Sequence, residues 1–324
     1  MDEKQYRKLV RRDFGRQGWT LLIFYGIMNV AVIFTMMIDL VIRSVEVIVD
    51  QGLDAFETNY DAIAEQAGGN AWGYMLAYGV GFLILFLWKG RKFLFSDLWC
   101  KGKPMHATDF FPILCIFVSA QVLFQLLATV IELVLNLFGL SAMAALESAT
   151  LLSDSFSMFL YAGILAPIGE EILFRGLILQ GLRPYGNKTA IFVSALLFGL
   201  FHGNLTQTPF AFAVGLVLGF VAGEYSLLWA MVLHMFNNLI ISDFLNRLTF
   251  GFNEIVGNVV SVLVIYGFAV GGIVVAIKKR KAIAVYLRRE RMKPYHLRCC
   301  FTSAGFIALA VVMLLNMLLG ITRL

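Results

Sequence analysis

The chain has 324 residues, 60% of them hydrophobic and only 15% charged, with a formal net charge of +5 and a mean hydropathy of +0.80. A water-soluble domain of this size could not cover so much apolar side chain, so the composition excludes one and implies an all-α polytopic membrane bundle. The basic excess reflects topology and contact with membrane lipid, so no nucleic-acid partner is expected, and the four cysteines (Cys100, Cys115, Cys299, Cys300) have no disulfide-framework spacing.

The first apolar run, 19–42, follows Lys4, Arg7, Lys8, Arg11, Arg12 and Arg16. It is too long for a signal-peptide core and no small-residue cleavage site follows, so it reads as an uncleaved span. Segment 44–70 carries Glu46, Asp50, Asp54, Glu57, Asp61 and Glu65 at helical spacing, with no Lys or Arg, and reads as an amphipathic outer helix ended by Gly68-Gly69. Further spans are expected at 71–88, 110–138, 158–182, 189–207, 209–224 (the shortest), 227–246, 256–277 and 301–319. Together these make about 8–9 transmembrane helices. A basic inner loop, 278–298, precedes the final span. The chain therefore divides into N-terminal helices with the acidic outer segment (1–157), a central membrane core (158–277), and the basic loop with the last helix (278–324).

Lys and Arg gather on the cytoplasmic side of membrane proteins. With the N-terminus inside, segments 1–18, 89–109, 175–188 and 278–298 hold 23 of the 26 basic residues, and only Arg43, Arg247 and Arg323 fall outside. An N-in, C-out arrangement follows. The short loops suggest a bacterial plasma membrane.

Within span 158–182 stand three ionisable residues, Glu170, Glu171 and Arg175. A charge at lipid depth costs roughly 2.5–3.5 kcal/mol on insertion scales, so such residues mark function or paired structure. Positions four apart share a helix face, whereas neighbours lie about 100° apart. Glu171 therefore faces Arg175 as a structural ion pair, and Glu170 is left without a local cation, the setting in which a carboxylate becomes a general base. Pro167, one turn earlier, removes a backbone donor and can open space for water. Two later spans carry polar pairs four apart: Phe198 and His202 in FGLFH, and His234 and Asn238 in HMFNN.

These three segments, EEILFR, FGLFH and HMFNN, resemble the E-E-x-x-x-R, F-x-x-x-H and H-x-x-x-N motifs of the CPBP family. That family joins type II CAAX prenyl endopeptidases with the bacteriocin-processing and immunity proteins also called Abi proteins. The likeness runs from Met158 to Ile277. It implies an intramembrane protease acting on a membrane-associated or lipidated peptide. Glu170 would activate water, His202 would help hold it, and His234 and Asn238 would donate to the oxyanion. Zinc bound by Glu170, His202 and His234 is the alternative. The H-E-x-x-H pattern is absent and Asn238 is a poor zinc ligand, so a metal-free, glutamate-dependent mechanism without cofactor is favoured. Two other classes compete: a non-catalytic immunity or membrane binding protein, and a proton-coupled transporter using the same buried groups as a relay. The transporter would call for paired broken helices in two repeated halves, and the motif residues do not repeat.

Overall fold

A computed structural model describes every residue except 1, 70, 100, 101, 146–154, 246, 248–253 and 290. Helix α1 (Glu3–Gln51) starts at an Asp2 capping box and runs without interruption until Gly52, whose φ of 91° takes the chain out of the helix. At about 1.5 Å per residue it is far longer than a bilayer is thick, so its basic first third projects beyond the apolar span. α2 (Leu53–Gly68) and α3 (Trp72–Phe95) fold back along it. The acidic segment is helical, as expected, but its first residues belong to α1 and only the remainder forms α2.

After α4 (Ala107–Asn136) comes the rod 156–182. It is α-helical at α5 (Phe156–Leu160), π-helical at Tyr161–Leu165, α-helical at α6 (Ala166–Glu171), π-helical again at Ile172–Leu179, and closes with α7 (Gln180–Leu182). Next are α8 (Asn187–Phe201), α9 (Gln207–Glu224) and α10 (Leu227–Phe236), the last continued by a π-helical stretch, Asn237–Phe244. α11 (Glu254–Lys278), α12 (Arg280–Arg289), α13 (Pro294–Phe301) and α14 (Ala304–Leu319) complete the bundle. The expected basic loop is thus largely helical, since α12 and α13 occupy most of it.

Among the described residues six helices are long and apolar enough to cross a membrane, or seven if α13 and α14, bent by 63° at their junction, form one span. The difference from the expected number lies in two places. The rod 156–182 is broken into short α and π stretches, and α8 has only 15 residues.

The basic segments meet at one end of the bundle. The Tyr185 hydroxyl donates to Asp13 at 2.6 Å, Lys188 Nζ to the Leu287 carbonyl at 2.6 Å, and Lys103 pairs with Glu224 at 2.9 Å. α4 leaves that end at Ala107 and climbs about 45 Å to the other, where strand β1 (Leu140–Ser141) pairs antiparallel with β2 (Thr322–Arg323). Arg175 is the exception to the charge count. It is fully buried rather than in a loop, which leaves 21 of the 25 described basic residues in the segments of the basic end.

The main core draws on the whole chain, from Val10 to Met317. α1 and α14 approach most closely at two glycines. A Cβ on Gly18 would lie 2.2 Å from the Gly305 carbonyl oxygen, and one on Gly305 would lie 1.9 Å from that of Gly15. Backbones in membranes pack this tightly only through small residues. We expect Gly18→Val to force the helices apart and cost about 1–3 kcal/mol, read as a lower melting temperature in detergent. Gly26→Val on the same helix, where nothing lies within 4 Å, is the control and should melt as the parent does.

Candidate active site

Pro167 shapes the first motif helix before any charge is considered. In the π-helical turn before it each N–H reaches five residues back, as Ala166 does to Tyr161, so the next donor would belong to residue 167 and serve the Ala162 carbonyl. Proline has no N–H to give. The Ala162 carbonyl instead accepts from Asn238 Nδ2 at 2.8 Å. The gap opened by the proline is filled by a motif side chain, where the sequence had suggested water.

Glu171 and Arg175 are both completely buried and joined at 2.7 Å. Arg175 Nη2 also donates to the Gly215 carbonyl at 3.2 Å, and its guanidinium lies 4.4 Å above the Phe198 ring. That cation–π contact assigns Phe198 a task the sequence left open. The same ring meets the edges of both His202 and His234, at 4.8 and 5.7 Å between centroids.

His234 reaches Glu171 as well. Its Nδ1 lies 2.9 Å from the Oε1 that Arg175 holds, and a carboxylate partner requires the proton on Nδ1. The ring is thereby aimed so that Nε2 lies 3.7 Å from Glu170 Oε2. Glu170 has no Lys or Arg in ion-pair range among the described residues, where the His234 ring is the one basic group at that distance. The helical wheel points the two glutamates in different directions but does not show that His234, from α10, lies against both. In His202 the Nδ1 lies 2.8 Å from the Phe198 carbonyl, so this nitrogen also carries the proton and Nε2 presents its lone pair.

Glu170, His202, His234 and Asn238 line one cavity of about 550 Å³. Of the other polar residues that line it, two lead to the Asn238 amide. Gln121 Nε2 of α4 donates to Asn237 Oδ1 at 2.8 Å, and Asn237 Nδ2 donates to Asn238 Oδ1 at 3.1 Å. The chain Gln121, Asn237, Asn238, Ala162 fixes the Asn238 amide with one N–H still uncommitted. Gln121 and Gln125, four apart and so on one face of α4, were the available signal.

Among the described residues no three side chains of His, Cys, Asp or Glu come together as metal ligands.

No curated protein and no solved structure matches the chain. A family model does: residues 152–240 match the type II CAAX prenyl endopeptidase Rce1-like family, a segment that contains all three motifs. At the level of that family the domain is that of an intramembrane protease. Residues 152–240 of this integral membrane protein therefore carry a likeness to the Rce1-like family, over the same stretch that holds the three motifs.

Proposed function

We propose that the protein is an endopeptidase that hydrolyses a peptide bond of a membrane-associated protein or peptide, with Glu170 as general base and without a metal. The observation that carries this reading is the Glu170 carboxylate on the cavity wall, 3.7 Å from a His234 nitrogen whose ring is held by a fully buried carboxylate. A water on the cavity side of Glu170 gives up a proton to the carboxylate as its oxygen attacks the substrate carbonyl. His202 Nε2 accepts the water's second hydrogen bond and orients it. The oxyanion accepts hydrogen bonds from the remaining Asn238 N–H and from the Nε2–H of the imidazolium form of His234, both of which keep their protons. Glu171 stabilises that form, because its carboxylate faces Nδ1–H. Glu170 then returns its proton to the departing amine nitrogen as the C–N bond breaks. Preorganised donors of this kind often contribute more to acyl-transfer catalysis than any other single effect.

The purified protein, reconstituted with a membrane-anchored peptide, is expected to keep its turnover after treatment with a zinc chelator. Loss of turnover on chelation, with recovery on adding zinc, would replace the glutamate mechanism by a metal one.

The proposed location is a bacterial plasma membrane with the N-terminus inside and the C-terminus outside, supported by the meeting of the basic segments at one end. Gln207, Ser242 and Asp243, which also line the catalytic cavity, belong to the opposite end, so in this orientation the cavity opens away from the cytoplasm. The native thiols serve poorly as reporters: Cys100 lies outside the described residues, and Cys299 and Cys300 are buried. In intact cells an impermeant thiol reagent should label Asp61→Cys and spare Arg289→Cys. The reverse pattern would invert the topology.

A further inference from the structure

On the lipid-facing side of the bundle, between α1 and α3, lies a second cavity of about 320 Å³, separate from the catalytic one. Its walls are apolar, with Ile23 and Phe24 from α1, Leu85 from α3, and Leu173 and Leu177 from the rod that carries Glu170. Its size lies within the range of ligand pockets, roughly 300–1,000 Å³. One end is different. Arg16 lines it, and Lys89 sits beside it, 4.4 Å above the ring of the lining residue Trp88. Among the described residues neither cation has a carboxylate in ion-pair range. Trp19 and Trp88, each about half exposed, flank this end, which is the basic end of the bundle. Exposed tryptophans mark headgroup depth.

Two mutually repelling cations at headgroup depth, over a slot with almost no polar lining, complement one kind of molecule. It must carry a negative charge at one end and hydrocarbon at the other. We propose that this groove binds an anionic phospholipid, with an acyl chain lying in the slot and the phosphate diester facing Arg16 and Lys89. A zwitterionic lipid could fill the slot and offer a phosphate, but it would bring a third cation, its own ammonium, to an end that already holds two, so the anionic lipid is favoured. The bound chain would touch Gly169, the residue before Glu170, on the side of the rod away from the catalytic cavity. The proposal concerns binding alone and holds whether or not the protein is a protease.

The test is to reconstitute the full chain in phosphatidylcholine vesicles containing a minority of phosphatidylglycerol, extract it gently, and count retained lipids by native mass spectrometry. The wild-type protein should retain phosphatidylglycerol above its share of the bilayer. Arg16→Gln and Lys89→Gln should each reduce that enrichment about fivefold. Thr20→Trp, which fills the slot and keeps both charges, should lower it too and remains informative if the charge variants fold poorly. Lys8→Gln with Arg12→Gln removes two cations of the same end that do not line the groove, and should leave the enrichment unchanged. Equal retention of the two lipids by the wild type would overturn the proposal. So would an undiminished enrichment in Thr20→Trp, or an equal loss in the Lys8 and Arg12 control, which would assign the effect to the basic rim as a whole.

Discussion

Glu170→Gln is expected to lower turnover by about 10²–10⁴-fold, the contribution of a positioned general base, while the variant reaches normal levels and melts as the parent does. The glutamine is nearly the same size and can still accept and donate hydrogen bonds at the cavity wall, but it cannot take a proton from water. Glu170 is partly exposed to the cavity and has no Lys or Arg partner among the described residues, so removing its charge strands nothing. Single-turnover cleavage of a membrane-anchored peptide, set beside a melting curve of the same preparation, checks both halves. A variant that folds and cuts at the parental rate would remove Glu170 from the chemistry.

The neighbouring residue should behave in the opposite way. Glu171→Gln leaves the fully buried Arg175 guanidinium without its counter-charge, and breaking a buried pair from one side typically costs about 3–5 kcal/mol. The expected result is a sharp fall in folded protein. Combining Glu171→Gln with Arg175→Met removes both charges and should restore much of the yield. It should not restore turnover, because the His234 imidazolium then loses its carboxylate. Exchanging that charge-assisted hydrogen bond for a neutral one, a difference of about 1–1.5 kcal/mol, translates into roughly a five- to tenfold slower reaction. Yield and rate measured on the same three proteins separate the two tasks of Glu171. Full recovery of both in the double variant would mean that the contact with His234 is incidental.

The path from sequence to this site was uneven, for physical reasons. The membrane class and the positions of the motif residues were legible because a polar side chain in an apolar helix is costly and stands out. The Glu171–Arg175 pair was legible because it lies within one helix, where spacing dictates direction. Contacts between helices carry no such local signature. Nothing in HMFNN says that His234 will meet Glu171, and nothing in α4 says that Gln121 will reach Asn237. The π-helical turns were equally hidden, since hydropathy does not distinguish a five-residue from a four-residue hydrogen-bond step. Pro167 was the local hint, and its consequence, the capture of the Ala162 carbonyl by Asn238, depends on a helix more than 70 residues away.

The most direct test is a comparison of membrane-protein termini in cells carrying the wild-type chain and cells carrying Glu170→Gln at equal abundance. At least one membrane-associated protein or peptide should appear shortened in the first and intact in the second, its new terminus marking the bond that is cut. Identical termini in the two membranes, with the variant folded and present, would contradict an intramembrane endopeptidase that depends on Glu170.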